Sequence, residues 1–182
     1  MASKLKYQTE QGELQYPWIE KPDIKFDENG VYKTDISIPS EDAKDLVAKI
    51  KEFAKDELGK KAEKAHMPFK MDETNGNVVF RTKSNYAPLV VDSQGDPIVQ
   101  NLPRIRGGTV AKVKVEISSY DKGANYGVRL NLKSVQLIKL VEGTADDGDR
   151  FEKVEGGYVA PKADLPASSS DSDASDNDGY DF

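Results

Sequence analysis

Arg81, Lys83, Lys112, Lys114, Lys122, Arg129 and Lys133 are cations set in segments whose apolar residues recur every second position, and Tyr86, Tyr120 and Tyr126 lie among them. Guanidinium and ammonium groups bind phosphate oxygens, and a phenol ring offers a face on which a base can stack. The pairing of the two residue types predicts chemistry suited to a single-stranded nucleic acid, because duplex DNA hides its base faces. Residues 78–140 hold ten Lys and Arg against Asp92, Asp96, Glu116 and Asp121, a net charge of +6. Alternation along a strand puts Lys112 and Lys114 on one face and Arg129 and Lys133 on the same face of the neighbouring strand, a stripe able to track a phosphate backbone.

Other chemistries are excluded by composition. The 182 residues contain no Cys and one His, so a zinc knuckle, an iron–sulfur cluster, a thiol nucleophile and most histidine-based catalysis are absent. His66, beside Met67-Pro68, reads as a linker residue. Gly107-Gly108 lacks the flanking residues of a phosphate-cradling loop and reads as a turn. Asp35, Asp92 and Asp96 are too scattered in sequence for a magnesium site. No cofactor, no enzymatic activity and no membrane partner are expected, since neither a signal peptide nor a long apolar run is present.

The elements that must position the cations follow from periodicity. Gly30–Ile38 reads as the first clear strand, ended by Pro39, and Ser40 reads as the N-cap of an amphipathic helix carrying Ala43, Leu46, Val47, Ile50, Phe53, Ala54 and Leu58. Gly59 reads as its C-cap. The helix's mixed-charge outer face reads as solvated surface, and its apolar face as the plug of a barrel. Asn75-Gly76 signals a hairpin. Strands are expected near 77–83 and 86–92, with a turn at Gln94-Gly95-Asp96-Pro97, and two long strands near 109–119 and 126–140 joined by a loop over 120–125. Between Leu132 and Val135 the apolar phase slips, which predicts a bulge at Lys133-Ser134. Tyr32, Phe69 and Phe80 are expected in the core, while Tyr16 and Trp18 suit either a barrel end or a stacked base.

These signals predict a mainly β, oligonucleotide-binding (OB) fold: a small antiparallel barrel of five or six strands with one amphipathic helix and a disordered acidic C-terminal tail. The chain divides into a domain over 1–140, a strap over 141–165 with Tyr158-Val159-Ala160 docking locally, and a tail over 166–182. Charge divides with it, since residues 1–140 carry a net +3 and residues 141–182 a net −9. The tail holds Asp171, Asp173, Asp176, Asp178 and Asp181 with Tyr180, and ends in Phe182. A basic body tethered to an acidic peptide carries its own competitor for a polyanion.

The segment Gly30-Val31-Tyr32-Lys33-Thr34-Asp35-Ile36-Ser37-Ile38-Pro39, then Met67-Pro68-Phe69, Leu89-Val90-Val91-Asp92-Ser93 with Gly95, and Gly107-Gly108 occur in order. They are followed by Lys112-Val113-Lys114 to Tyr120, the pattern Val128-Arg129-Leu130 through Leu137, Gly157-Tyr158-Val159-Ala160 and the terminal Asp181-Phe182. This series resembles the single-stranded DNA-binding proteins of T7-like bacteriophages over nearly the whole chain. The resemblance implies an OB fold with a capping helix, a homodimer, and protection and annealing of single-stranded DNA in phage replication, recombination and repair. It also implies contacts of the tail with the phage DNA polymerase and primase-helicase, in the cytoplasm of the infected bacterial host. Carried over by position, Lys83, Tyr86, Lys112, Lys114 and Tyr120 fall on the family's binding surface, Lys4 on its basic N-terminus and Phe182 on its terminal aromatic. The segment between helix and hairpin is shorter than in the family. The tail has fewer acids, which implies weaker competition. Arg81, Lys122, Tyr126 and Arg129 complete the expected interface. The alternatives are a protein-interaction adaptor with a solubilising tail and an RNA chaperone, since nothing in the residues rejects a 2′-hydroxyl.

Overall fold

The structure, a computed structural model, describes residues 3–141. The expected strap and tail, including Tyr158 to Ala160 and Asp171 to Phe182, lie outside the described residues. Among the described residues eight strands are present: β1 (Leu5–Gln8), β2 (Gly12–Asp23), β3 (Val31–Ile38), β4 (Phe69–Met71), β5 (Val78–Ser84), β6 (Leu89–Val91), β7 (Val110–Lys122) and β8 (Asn125–Lys139). One helix, α1 (Ser40–Leu58), separates β3 from β4, and a short 3₁₀ segment, Gly59–Lys64, continues it.

The barrel closes because β7 pairs on one side with β8 and on the other with β1 and β2 in succession. From β2 the ring runs through β3 and β5 to β8, and so back to β7. A closed ring leaves no long edge exposed and is the OB arrangement. Phe80, Leu14, Ile36, Ile117, Leu130 and Val113 fill the interior with no measurable exposure or almost none. Ala43, Leu46, Ile50, Phe53 and Ala54 form the buried stripe of α1, which packs on β7 and β8 and stops one end of the barrel. Tyr7 ties β1 to this helix by donating its hydroxyl to Asp45 at 2.8 Å; burial first, then that carboxylate, pushes its pKa up to about 12.

Several expectations need correction. Strand formation begins before Gly30, with β1 and β2. Tyr16 sits in the left-handed region at φ 48°, so the phase of β2 shifts there: Leu14 and Ile19 are both buried although they stand five positions apart, an odd step that would put them on opposite faces of a regular strand. That break conceals the strand from a period-two reading. Pro39, not Ser40, occupies the N-cap, and no side chain caps the helix. The barrel is not wholly antiparallel, since β8 pairs in parallel with β5 and with β6. The expected loop at 120–125 is a two-residue turn, Gly123-Ala124, with Lys122 paired to Asn125. Gly123 has φ 71°, a conformation that a side chain disfavours and that lets the two long strands meet without splaying.

The expected bulge is present. Lys114 pairs with Ser134 and Val115 with Leu132, so Lys133 stands unpaired between them. A second shift, between Val110 and Ala111, leaves Ile138 in the same condition.

Candidate nucleic-acid interface

The register of β7 against β8 fixes which cations share a face. Lys112, Lys114, Glu116, Ser118, Tyr120 and Lys122 of β7 stand opposite Gln136, Ser134, Asn131, Arg129, Gly127 and Asn125 of β8. The intervening residues, Val113, Val115, Ile117, Val128, Leu130 and Leu132, are buried. On the far side of β8 lies β5, with Thr82 beside Leu130, which adds the exposed Arg81 and Lys83 to the same outer face.

At the turn end of this face is a cleft of about 640 Å³. Arg81, Lys83, Lys122 and Arg129 line it together with Tyr120, Asn125 and the segment His66–Pro68, and among the described residues no carboxylate lines it. The His66 segment forms the wall because its backbone joins β8: His66 N–H donates to the Tyr126 carbonyl at 3.0 Å, and Val128 N–H donates to the His66 carbonyl at 2.9 Å. This approach needs a glycine at 127. A β-carbon there would collide with the His66 carbonyl and lie 2.9 Å from the Tyr120 hydroxyl, which rests over Gly127. A tyrosine opposite a strand glycine shields the bare backbone, and here it also sets the ring at the cleft wall.

Arg129 is held ready for an anion. Its Nε–H donates to the Ser118 hydroxyl at 3.2 Å, which fixes the guanidinium plane, and its terminal N–H groups have no partner among the described residues. Asn131 donates to the same hydroxyl at 2.9 Å and to the Glu116 carbonyl at 3.1 Å. Arg81 lies 3.7 Å from the half-buried Asp35, yet most of its side chain is exposed. Burial raises the Asp35 pKa above the ordinary carboxylate value, against the opposing pull of Arg81, Lys70 and Lys33.

Of the ten body residues expected at the interface, the cleft gathers Arg81, Lys83, Tyr120, Lys122 and Arg129. Lys112 and Lys114 are on the same face but farther along β7, where they line a separate recess. Lys4 is engaged elsewhere: with Lys133 it reaches the almost buried Glu116, at 3.3 and 3.7 Å. The expected continuous stripe is therefore interrupted at its centre. Tyr86 is 81% exposed on the connection between β5 and β6 and is not among the cleft's lining residues. Tyr126 is on the opposite face of the hairpin from Tyr120. It pairs with Asp121, and Lys61 of the 3₁₀ segment lies over its ring at 5.3 Å while bonding Asp121 at 2.6 Å. That bond lowers the Asp121 pKa.

Sequence reasoning passed over Ser118, Asn125 and Asn131, though the alternation that picks out Lys112 and Lys114 runs straight through Ser118. It also passed over Gly127, whose place inside a strand signals a close backbone approach. Among the core expectations Phe80 is buried, while Tyr32 and Phe69 are half-buried. Tyr16 is exposed, and Trp18 is half-buried with Lys21 5.9 Å from its ring. Asp92 serves its own turn by accepting the Gln94 and Asp96 amides. Among the described residues no group of three His, Cys, Asp or Glu could hold a metal, and no helix is long and apolar enough to cross a membrane.

No family model and no curated protein sequence matches the chain. Solved structures do. The single-stranded DNA-binding protein gp2.5 encoded by bacteriophage T7 superposes with a TM-score of 0.70 and is 29% identical; the match covers 87% of this chain and 100% of that one. A C-terminally truncated single-stranded DNA-binding protein from bacteriophage Enc34 superposes at 0.63 with 18% identity, covering 76% and 88% of the two chains. The Enc34 protein in complex with single-stranded DNA gives 0.59 and 18%, over 75% and 88%. The Enc34 matches establish the OB fold. The T7 match, at 29% identity over the whole of that chain, together with the ordered motifs, makes the chain similar to the single-stranded DNA-binding proteins of T7-like bacteriophages.

Proposed function

We propose that the chain binds single-stranded DNA across the outer face of β5, β8 and β7. The observation that carries this reading is the cleft at the hairpin turn, where four cations and Tyr120 converge without a carboxylate. Phosphates bind Arg129, Arg81, Lys83 and Lys122, and a base stacks on Tyr120, a mode tolerant of sequence because every base has a π-face. The T7 and Enc34 relatives bear the name of that activity, and one Enc34 structure holds single-stranded DNA.

The remaining parts of the reading rest on the sequence. Residues 1–140 form the binding domain, 141–165 a strap and 166–182 a tail. The acidic tail competes for the cationic face when DNA is absent. DNA displaces it, and Asp171 to Phe182 then recruit the DNA polymerase and primase-helicase. Annealing of complementary strands, dimerisation and action in the infected host's cytoplasm belong to the same reading, as does a binding rather than enzymatic role.

Fluorescence anisotropy with a labelled single strand, comparing the full chain with one cut after Ala167 at two salt concentrations and with duplex as control, tests it. The expected result is salt-sensitive binding that prefers the single strand and tightens on truncation. Unchanged affinity on truncation would remove tail competition, and absence of binding by both forms would favour the adaptor. Equal affinity for RNA of the same sequence would widen the role to RNA.

A further inference from the structure

The outer face carries a second recess, of about 260 Å³, between β6 and the middle of the β7–β8 hairpin. In the parallel pairing of β6 with β8, Leu89 stands beside Ser134 and Val91 beside Gln136, both outer-face positions, while Val90 is buried beside Val135. Leu89 is 53% exposed, an open aliphatic side chain on an otherwise polar, cationic surface. The backbone edge of β6 is already occupied. Val91 bridges to Pro97, and Ile98 N–H donates to the Val90 carbonyl at 2.9 Å. What β6 offers is therefore its side-chain face and not an edge for strand addition. Opposite this apolar wall stand Lys112 and Lys114.

Glu116 lies between the recess and the cleft. Its carboxylate engages both Lys4 and Lys133, so these ammonium groups are already committed at the point where a straight backbone path along β7 would run. Beyond it, apolar surface beside paired ammonium groups suits a nucleotide, with a base face for the first and flanking phosphates for the second.

Resting on the single-strand reading above, we infer that a bound strand is held in two segments, one in the cleft and one in the β6 recess. In the recess a base packs against Leu89, Val91 and Pro97 and its phosphates pair with Lys112 and Lys114.

Leu89→Ala removes an exposed side chain and leaves the core intact, so unfolding midpoints should match the parent's. Affinity is measured for an oligonucleotide of about 5 nucleotides, which fills the cleft alone, and for one of about 16, which spans both segments. The short oligonucleotide should bind the variant and the parent equally, while the long one should bind the variant about fivefold more weakly. The doubly substituted K112Q/K114Q protein should show the same length dependence, with a shallower salt slope for the long oligonucleotide only. Equal loss at both lengths, or loss at neither, would overturn the second segment. A change in sedimentation of the DNA-free L89A protein would assign the patch to contact between copies of the chain, and would overturn it too. Failure of the parent to bind either oligonucleotide would instead overturn the single-strand reading on which the inference stands.

Discussion

At the turn end of the β7–β8 hairpin, Arg129 and Lys122 face a cleft without a carboxylate, whereas at mid-strand Lys133 reaches Glu116, as does Lys4. Both regions are rich in cations and lie on one face of one sheet. They differ in whether those cations are already committed. A phosphate arriving at the turn end meets guanidinium N–H groups that Ser118 has oriented and that no other described residue occupies. One arriving at mid-strand must displace a protein carboxylate first. Counting charge along the sequence treats the two regions alike, and pairing across the sheet separates them.

The comparison breaks most completely if its floor is removed. Gly127→Ala pushes the His66 carbonyl away from β8 and displaces Tyr120, so stability should fall by about 2–3 kcal/mol, read as a lower unfolding midpoint. A midpoint unchanged from the parent would show that the His66 wall does not depend on that contact. Next in size, Tyr120→Ala should weaken single-strand affinity by about 1–3 kcal/mol with little change in folding. Tyr126→Ala, on the opposite face under Lys61, should leave affinity near the parental value. Equal losses would mean that facing does not decide which ring stacks.

A sharper contrast comes from salt titrations. Arg129→Gln should reduce the slope of log affinity against log salt by about 0.7, the share of one phosphate on a single strand. Lys133→Gln should change it much less, because Glu116 already competes for that ammonium group. Equal slopes would erase the distinction between open and committed cations.

The smallest effect concerns Asp35. Its folded pKa is raised by burial, so the folded protein takes up this proton at a higher pH than the unfolded chain does. Between the two values acidification favours the fold, and the contribution is lost as pH rises through the folded pKa. Arg81 is among the groups that hold the shift down. Arg81→Ala should therefore raise the Asp35 pKa further, and so should single-stranded DNA that draws Arg81 away, both followed by carboxyl NMR titration. A fall in either case would show that Arg81 does not couple to Asp35.

Much of this face was legible in sequence because period-two alternation is local. It assigned Lys112, Lys114 and Arg129 to one side, and the slip of apolar phase after Leu132 located the bulge at Lys133. The helix was legible for the same reason, through the spacing of Leu46, Ile50 and Phe53. Long-range partners were not. Nothing near Glu116 in the chain indicates that Lys4, more than a hundred residues earlier, reaches it. Tyr126 appeared equivalent to Tyr120 because a loop of uncertain length allowed either facing, and only the two-residue turn at Gly123-Ala124 fixed the parity. The strand β2 stayed hidden because Tyr16 interrupts its alternation, and the wall at His66 because a single backbone bridge leaves no periodic trace.

The pairing of β1 with β7 also sets the order in which the molecule can assemble. Leu5 meets Ile117, and Gly12 of β2 meets Ala111, so β1 and β2 both emerge during synthesis long before β7 exists, although β2 can pair with β3 sooner. The helix, the β3–β5 pairing and the β7–β8 hairpin can form from closer contacts. Closure then requires β1 to find a strand more than a hundred residues further along the sequence, an entropy-limited event that slows folding. Until it occurs the cations of β7 and β8 have no barrel behind them, so competence to bind a strand and completion of the ring arrive together.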